Sequence, residues 1–138
     1  MKAKYNADYF PPVPAIPILF GRDGEKPWLG PLDAILDTGA DATILPQEIA
    51  HQLHSVPLGK GTLESQWGHI QPITLYSIDI EIADQILRGV IVAGDPASDE
   101  IVLGRNVLNK LALLLDGPKL YSEVLDSAII KRLRERRE

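Results

Sequence analysis

The segment with the clearest chemical content is Ala34–Asp41, which reads AILDTGAD. It places the carboxylate of Asp37 directly after three apolar residues and before a small hydroxyl residue and a glycine, Thr38 and Gly39. A carboxylate at the mouth of an apolar strand is partly removed from water and can exchange a proton with a substrate. One such group hydrolyses poorly, whereas two that face each other share a proton, because neighbouring like charges resist ionising together. The segment therefore indicates acid–base hydrolysis if a second carboxylate approaches Asp37.

A second segment, Ile101–Asn106, has the sequence IVLGRN and a similar arrangement of residues. A short apolar strand again ends at a glycine, Gly104, and polar residues follow it. Arg105 would open a short helix there, and its forked guanidinium suits a carboxylate partner. An Asp-Thr-Gly triplet alone is common in turns, and Arg105 alone could be a surface cation. The two segments in this order form a much rarer combination.

Together the two segments resemble the landmarks of the retropepsin-like aspartic proteases, and a non-viral member is expected. A pepsin-like chain carries two Asp-Thr-Gly motifs and is more than twice as long, whereas this chain of 138 residues carries one. The resemblance and the length therefore imply a symmetric homodimer in which the two copies of Asp37 meet on the axis. The implied activity is that of an aspartic endopeptidase, which hydrolyses peptide or protein substrates with water activated between the two Asp37 carboxylates. Neither a cofactor nor a metal is implied.

The resemblance also implies roles for the neighbouring residues. The catalytic triplet would be Asp37, Thr38 and Gly39, with the Thr38 hydroxyl bonded to the opposite loop and the Gly39 carbonyl accepting from substrate. Asp41 would accept substrate N–H groups and pair with Arg105. The implied substrate-binding residues are mostly apolar or small, and they comprise Ile35, Ala40, Asp41, Ile44, Trp67, Gly68 and Val102. The implied structural support comprises Gly104, Arg105 and Asn106.

The family also needs a flap, which is a β-hairpin that closes over the peptide and excludes water. The segment Gly59–Tyr76 fits this role, with its tip at Gln66–Gly68. This tip departs from the retroviral pattern, which is richer in glycine. Trp67 would either cover bound substrate or belong to the core, and the sequence leaves both alternatives open.

Composition limits the other classes of function. The net charge of −5 is too acidic to predict nucleic-acid binding, and 45% hydrophobic residues suit one domain with a core. The chain lacks cysteine, and His51, His54 and His69 form no recognisable metal motif, so no metal site is expected. No apolar run approaches the ~20 residues of a membrane span. Prolines interrupt the N-terminal segment where a signal peptide would be apolar, so we expect a cytoplasmic protein.

Short apolar runs between turn residues predict a mostly β chain. Strands are expected at residues 13–20, 28–36, 42–45, 59–83 around a turn, 86–93, 101–103, 111–115 and 120–125. The first of these contains prolines and therefore suits a sheet edge. Short helices are expected at 47–53 and 105–110. With the resemblance, this pattern predicts a closed, barrel-like retropepsin fold over residues 13–125, after a flexible arm at 1–12 and before a basic helix or tail at 126–138.

The C-terminal part extends beyond the pattern of the retroviral enzymes, which dimerise largely through short terminal strands. Leu120–Leu125 is a candidate for a strand that pairs with the other subunit. The basic segment 126–138 can form a helix capped by Asp126 or Ser127, and this helix is either solvated or packed on a partner subunit.

Two other functions remain in competition. A non-catalytic, dimeric peptide-binding or scaffold module of the same fold would not need a desolvated acid pair, so the intact triplet at Asp37 disfavours it. A phosphotransferase with Asp37 as nucleophile, as in haloacid-dehalogenase-like enzymes, would want a second aspartate two residues later, where this chain has Gly39.

Overall fold

The computed structural model describes residues 1–65 and 67–136. Over these residues the chain is mostly β, as predicted, with about half of its residues in strands. The strands are β1 (Lys2–Lys4), β2 (Ala15–Arg22), β3 (Leu29–Leu36), β4 (Thr43–Pro46), β5 (Pro57–Glu64), β6 (Ile70–Ile82), β7 (Gln85–Asp95), β8 (Val102–Leu103), β9 (Leu113–Asp116) and β10 (Tyr121–Val124). The helices are α1 (Gln47–Gln52), α2 (Arg105–Leu108) and α3 (Ser127–Glu135). None of the helices in these residues is long and apolar enough to cross a membrane.

The larger sheet closes into a ring. Its strand order is β2-β3-β8-β4-β7-β6-β5, and β2 also pairs with β6, so six strands form the ring and β5 extends from it. The ring encloses the hydrophobic core, in which the largest fully buried side chains include Ile16, Phe20, Leu45, Tyr76, Ile78, Ile80, Ile82, Leu103 and Val107. Burial of these apolar side chains is the main term that holds the strands together.

Strand β2 combines an edge half with a central half. Residues 15–18 pair with β3, whereas residues 19–22 also meet β6. Pro17 lies in the half with one neighbouring strand, where a proline without an N–H group is tolerated. The first half of β2, which contains Pro17, is therefore an edge strand as predicted. The second half differs from the prediction, because it also pairs with β6 and closes the ring.

The chain termini form a separate three-stranded sheet in the order β1-β10-β9. Lys2–Lys4 pairs with β10, so the first residues contain a strand where the sequence predicts a flexible arm. The partner of this strand lies more than one hundred residues away, and a local pattern cannot reveal it. Strand β10 has β1 on one side and β9 on the other. Both of its hydrogen-bonding edges are therefore used within the chain, which contradicts the expectation of an intersubunit strand at Leu120–Leu125.

Helix α3 begins as the sequence predicts. The Asp126 carboxylate caps it by accepting a hydrogen bond from the Ile129 N–H at 2.9 Å. None of its residues is buried, and Leu133 is 48% exposed. Arg137 of the predicted basic segment lies outside the described residues.

Asp79 is a buried acid in the middle of β6, between the core residues Ile78 and Ile80. The pairing of β6 with β7 has a register irregularity between Ile78 and Ile80, and Asp79 at this position is 1% exposed. Its carboxylate accepts hydrogen bonds from Gly24 N and Gly89 N, both at 2.9 Å, and from the Arg88 guanidinium. Burial raises the pKa of Asp79, but the bonds from Gly89, Arg88 and Gly24 outweigh it, so the pKa lies below its ordinary value. The cluster ties the β2–β3 turn to the β6–β7 hairpin.

We expect the substitution Asp79→Asn to lower the free energy of unfolding by about 2–3 kcal/mol at pH 7, because the buried donors lose a charged acceptor. The ionised state stabilises the fold above the unfolded-state pKa, and this stabilisation is lost as the pH falls through the lower folded-state pKa. The difference between the two proteins should therefore shrink in acid. Urea unfolding at fixed protein concentration, at pH 7 and below pH 4, measures it. The exposed Asp84→Asn is the control, and equal loss in both variants would contradict the role of the cluster.

Candidate active site

The site is built where β8 inserts between two strands that are consecutive in the chain. Strand β3 runs parallel to β8, with Ile35 opposite Val102 and Leu36 opposite Leu103. On its other side β8 is antiparallel to β4, with Val102 opposite Ile44. The loop from β3 to β4, residues 37–42, must therefore cross the end of β8, and it begins with Asp37.

Asp37 is held by backbone groups of its own loop and of β8. The Asp37 N–H donates to the carbonyl of Leu103 at 3.1 Å, which continues the parallel ladder by one residue. The Asp37 Oδ1 accepts from Gly39 N at 2.9 Å, and the Asp37 carbonyl accepts from Ala40 N at 3.2 Å. A Cβ atom at Gly39 would lie 3.1 Å from Asp37 Oδ1, so glycine allows this tight closure. The carboxylate thus has a defined place at the start of the loop.

Exposure is the main difference between the expected and the observed surroundings of Asp37. In the single chain Asp37, Thr38 and Gly39 are all exposed. The desolvation that the sequence predicts is therefore absent from one chain by itself. A second body placed over this loop would have to exclude the water.

The turn between β8 and α2 clamps the loop from the other side. Arg105 N donates to the carbonyl of Ala40 at 2.8 Å, and Arg105 Nη1 donates to the carbonyl of Thr38 at 2.7 Å. A Cβ atom at Gly104 would overlap the carbonyl of Ala42, so this close approach requires glycine. The second motif therefore supports the loop by donating hydrogen bonds to two of its backbone carbonyls, one from the Arg105 backbone and one from the Arg105 side chain.

The expected pair of Asp41 with Arg105 is wrong for the single chain. Over residues 1–65 and 67–136 the side chains of opposite charge type within 4.0 Å are Arg88 with Asp79 and His51 with Glu48, and the second contact is an ion pair only when His51 is protonated. Arg105 is exposed, and its guanidinium bonds to a backbone carbonyl because the loop presents Thr38 O to it. Asp41 is also exposed.

A buried polar network lies beneath the loop and is centred on Thr43, which the sequence analysis does not assign to the site. Its partner Asn106 is among the expected supporting residues. The Thr43 side chain is fully buried, donates from Oγ1 to Asn106 Oδ1 at 2.8 Å, and accepts from Gly104 N at 3.1 Å. Asn106 Nδ2 in turn donates to the carbonyl of Ile91 at 2.9 Å. Thr43 locks β4 to the β8–α2 turn. The sequence does contain one indication of this network: Thr43 is a hydroxyl residue at the start of an apolar strand, and a buried hydroxyl group needs a hydrogen-bond partner.

Three of the expected subsite residues form one row across the sheet. Ile35 is opposite Val102, and Val102 is opposite Ile44, so the three side chains share a face on neighbouring strands. All three are half-buried, as is Ala40 in the loop. The row lies within two residues of Asp37 on β3.

The expected flap is a hairpin of β5 and β6, with Pro57 opposite Tyr76 and Glu64 opposite Ile70. At its tip the Ser65 hydroxyl accepts from Trp67 N at 3.3 Å and from His69 N at 3.2 Å. Trp67 is 79% exposed, which rules out the core alternative in this chain. Gly68 has φ of +79°, which glycine adopts without strain. Gln66, the other residue of the expected tip, lies outside the described residues.

Metal-binding side chains do not cluster in the part of the chain that the structure describes. Over residues 1–65 and 67–136, no three His, Cys, Asp or Glu side chains lie close enough together to hold a metal ion.

A sequence profile of the family described as "gag-polyprotein putative aspartyl protease" matches residues 30–110. The match covers more than half of the chain and includes both segments of the site. The chain belongs to this aspartyl protease family. Asp37, at the start of the β3–β4 loop, lies within the matched residues.

Solved structures of related proteases share the retropepsin-like fold of this family member. EIAV protease complexed with the inhibitor HBY-793 is 21% identical over 78% of this chain and 93% of its own, with a TM-score of 0.56. A retropepsin-like aspartic protease from Rickettsia conorii is 15% identical over 88% and 86%, with a TM-score of 0.59. The retroviral protease-like domain of Ddi1 from Leishmania major is 13% identical over 81% and 87%, with a TM-score of 0.52. At these identities the likeness establishes the fold.

We expect Thr43→Val to lower the free energy of unfolding by about 1–3 kcal/mol, because it leaves Gly104 N and Asn106 without a buried partner. Thr43→Ser keeps the hydroxyl and should retain most of the stability. Chemical denaturation at fixed protein concentration measures both. Thr62→Val, an exposed site on β5, controls for the loss of a hydroxyl. Equal stability of the Thr43→Val and Thr43→Ser proteins would contradict the role of the network.

Proposed function

We propose that this protein is an aspartic endopeptidase that acts as a homodimer, with water activated between the Asp37 carboxylates of the two subunits. The observation that carries this proposal is the placement of Asp37. It stands exposed at the start of a loop that Gly39 N, Leu103 O and Arg105 hold in place. A rigidly held but exposed acid in an aspartyl protease family member is suited to be half of a site.

In the proposed reaction the two carboxylates share one proton. The ionised carboxylate takes a proton from the water as it adds to the scissile carbonyl carbon, and the protonated carboxylate donates to the carbonyl oxygen. This yields a tetrahedral diol. Transfer of a proton to the amide nitrogen then breaks the C–N bond and releases an amine and a carboxylic acid. The two Asp37 carboxylates account for every proton moved.

The dimer would supply what one chain lacks at this loop. The carbonyl of Thr38 is bonded to Arg105, whereas its hydroxyl makes no hydrogen bond to residues 1–65 or 67–136. The exposed hydroxyl is therefore available to the partner's loop, and a bond there would hold the two carboxylates in one plane. Contact of the two loops would also remove Asp37 from bulk water.

The apolar surfaces beside the loop favour a peptide with hydrophobic side chains around the scissile bond. The row of Ile35, Val102 and Ile44 would form apolar subsites, and Ala40 and Gly39 leave room for an extended backbone. Asp41 is exposed at the end of this loop and would accept substrate N–H groups. Trp67 and Gly68 at the exposed flap tip would close over the peptide.

We expect Asp37→Asn to abolish peptide hydrolysis, because an amide cannot act as the general base. Folding and dimerisation should survive, since an asparagine side chain can still accept the hydrogen bond from Gly39 N. Cleavage of a peptide library between pH 3 and 8, with pepstatin as the inhibitor control, measures the activity. Asp33→Asn, an exposed position on β3, is the matched control and should leave activity unchanged.

The same experiment separates the protease from a peptide-binding module. Strong peptide binding by the parent protein without any cleavage would contradict the protease proposal and favour the module. Activity that a chelator abolishes, or that survives in the Asp37→Asn protein, would contradict the carboxylate pair.

We expect the specific activity to fall when the protein is diluted through the dissociation constant of the dimer, because a lone subunit holds one Asp37. Rate per subunit should follow the dimer fraction measured by analytical ultracentrifugation at the same concentrations. Mixing parent protein with an excess of the Asp37→Asn protein should also lower activity through mixed dimers. Specific activity that stays constant in monomeric protein would contradict the shared site.

A further inference from the structure

The flap hairpin extends beyond the strand that supports it. Strand β6 pairs with β7 from Thr74 onward, where Thr74 lies opposite Gly94. Ahead of Thr74, residues 70–73 pair only with β5 in the described ladders. The ladder with the ring therefore ends at Thr74, and it does not by itself set the angle at which the outer hairpin leaves the sheet.

One side-chain hydrogen bond crosses from this outer part to the ring. Gln71 Nε2 donates to Asp95 Oδ1 at 2.7 Å. Asp95 is the last residue of β7 and is 9% exposed. The same oxygen accepts from Ala97 N at 2.8 Å, so the carboxylate is already oriented by its own turn. A short bond to a charged, oriented and nearly buried acceptor is stronger than an ordinary surface bond.

Asp95 is also joined to the strand that follows the catalytic loop. It lies opposite Pro46, the last residue of β4, in the parallel ladder between β4 and β7. Strand β4 begins at Thr43, which is bonded to the β8–α2 turn. A continuous path of backbone and side-chain bonds therefore leads from Gln71 on the flap to the loop that holds Asp37.

Other contacts near the flap do not provide this link. The Tyr76 hydroxyl accepts from Gln47 Nε2 at 3.2 Å, but Tyr76 lies within the ladder with β7. Lys60 Nζ donates to Thr74 Oγ1 at 3.2 Å, which joins the two strands of the hairpin to each other. Neither bond constrains residues 70–73 relative to the ring.

We propose that Gln71 and Asp95 are positioning residues of the flap, whose hydrogen bond sets the angle of the hairpin over the Asp37 loop. The consequence for catalysis rests on the proposed function, whereas the consequence for the hairpin does not. Loss of the bond lets the outer hairpin sample a wider range of angles, so fewer molecules hold substrate in the closed arrangement.

The first test measures the hairpin directly. The chain lacks cysteine, so spin labels can be attached at Thr62→Cys on β5 and Gln52→Cys on α1, both exposed positions. Labelled protein is diluted into an excess of unlabelled protein, and the label-to-label distance distribution is measured by double electron–electron resonance. We expect a broader or shifted distribution in Gln71→Leu than in the parent. Gln85→Leu, the same change at the opposite end of β7 from Asp95, is the control.

Equal distributions in the parent and in Gln71→Leu would overturn the proposal. This measurement needs no cleavage, so it gives its answer even if the protein proves not to be a protease. Failure of the positioning role and failure of the proposed function are therefore distinguishable.

The second test uses activity and its pH dependence. Gln71→Leu should lower kcat/KM about tenfold, mainly through a higher KM, because a bond to a charged acceptor is lost. Gln71→Glu places two carboxylates together at neutral pH, but a protonated carboxyl group at position 71 can donate to Asp95 in acid. The activity of Gln71→Glu relative to the parent should therefore rise as the pH falls, and it should rise more than that of Gln71→Leu, which has no donor at any pH. A flat ratio for Gln71→Glu would overturn the proposal, since restoring a donor to Asp95 would then have no effect on activity.

Discussion

Strand β8 lies between β3 and β4, and the rest of the site depends on this insertion. Both of its residues pair with β3 in parallel, and Val102 also pairs with β4 in the antiparallel sense. So short a strand has little stability of its own and is held by neighbours on both sides. Because β3 and β4 cannot pair directly, the loop between them must pass over the end of β8. This geometry brings Asp37 and the turn at Gly104 together.

The insertion also explains why the two motifs need small or hydroxyl residues. Gly104 passes so close to the carbonyl of Ala42 that a side chain would overlap it. Thr43 meets the same turn from inside the core and satisfies Gly104 N and Asn106. A buried donor left without a partner would cost much of its lost hydration. The loop is therefore exposed to solvent on one side and held by hydrogen bonds to the core on the other, an arrangement that is common for functional loops on a stable scaffold.

The exposure of Asp37 in one chain is related to the long hairpin of β5 and β6, which we propose as a flap. Acid–base chemistry between carboxylates is most effective where water is excluded, yet the ring leaves its loop open. In the proposed homodimer, the loop of the partner subunit and the closed hairpin would cover it. The bond from Gln71 to Asp95 connects this hairpin with the strand that follows the loop, so the hairpin and the candidate site are held by one framework.

The sequence by itself determined the mostly β fold, the positions of nearly all strands, and the family landmarks at Asp37 and Gly104. These features are local, since strand periodicity, turn residues and short motifs are readable within a few positions. Only the tertiary structure decided which strands are neighbours, and this made Thr43 a buried link and left Arg105 bonded to Thr38 rather than Asp41. It also buried Asp79 and gave β10 two partners within the chain. The physical reason is that hydrogen-bond partners and burial arise from contacts between distant segments, which no local pattern contains.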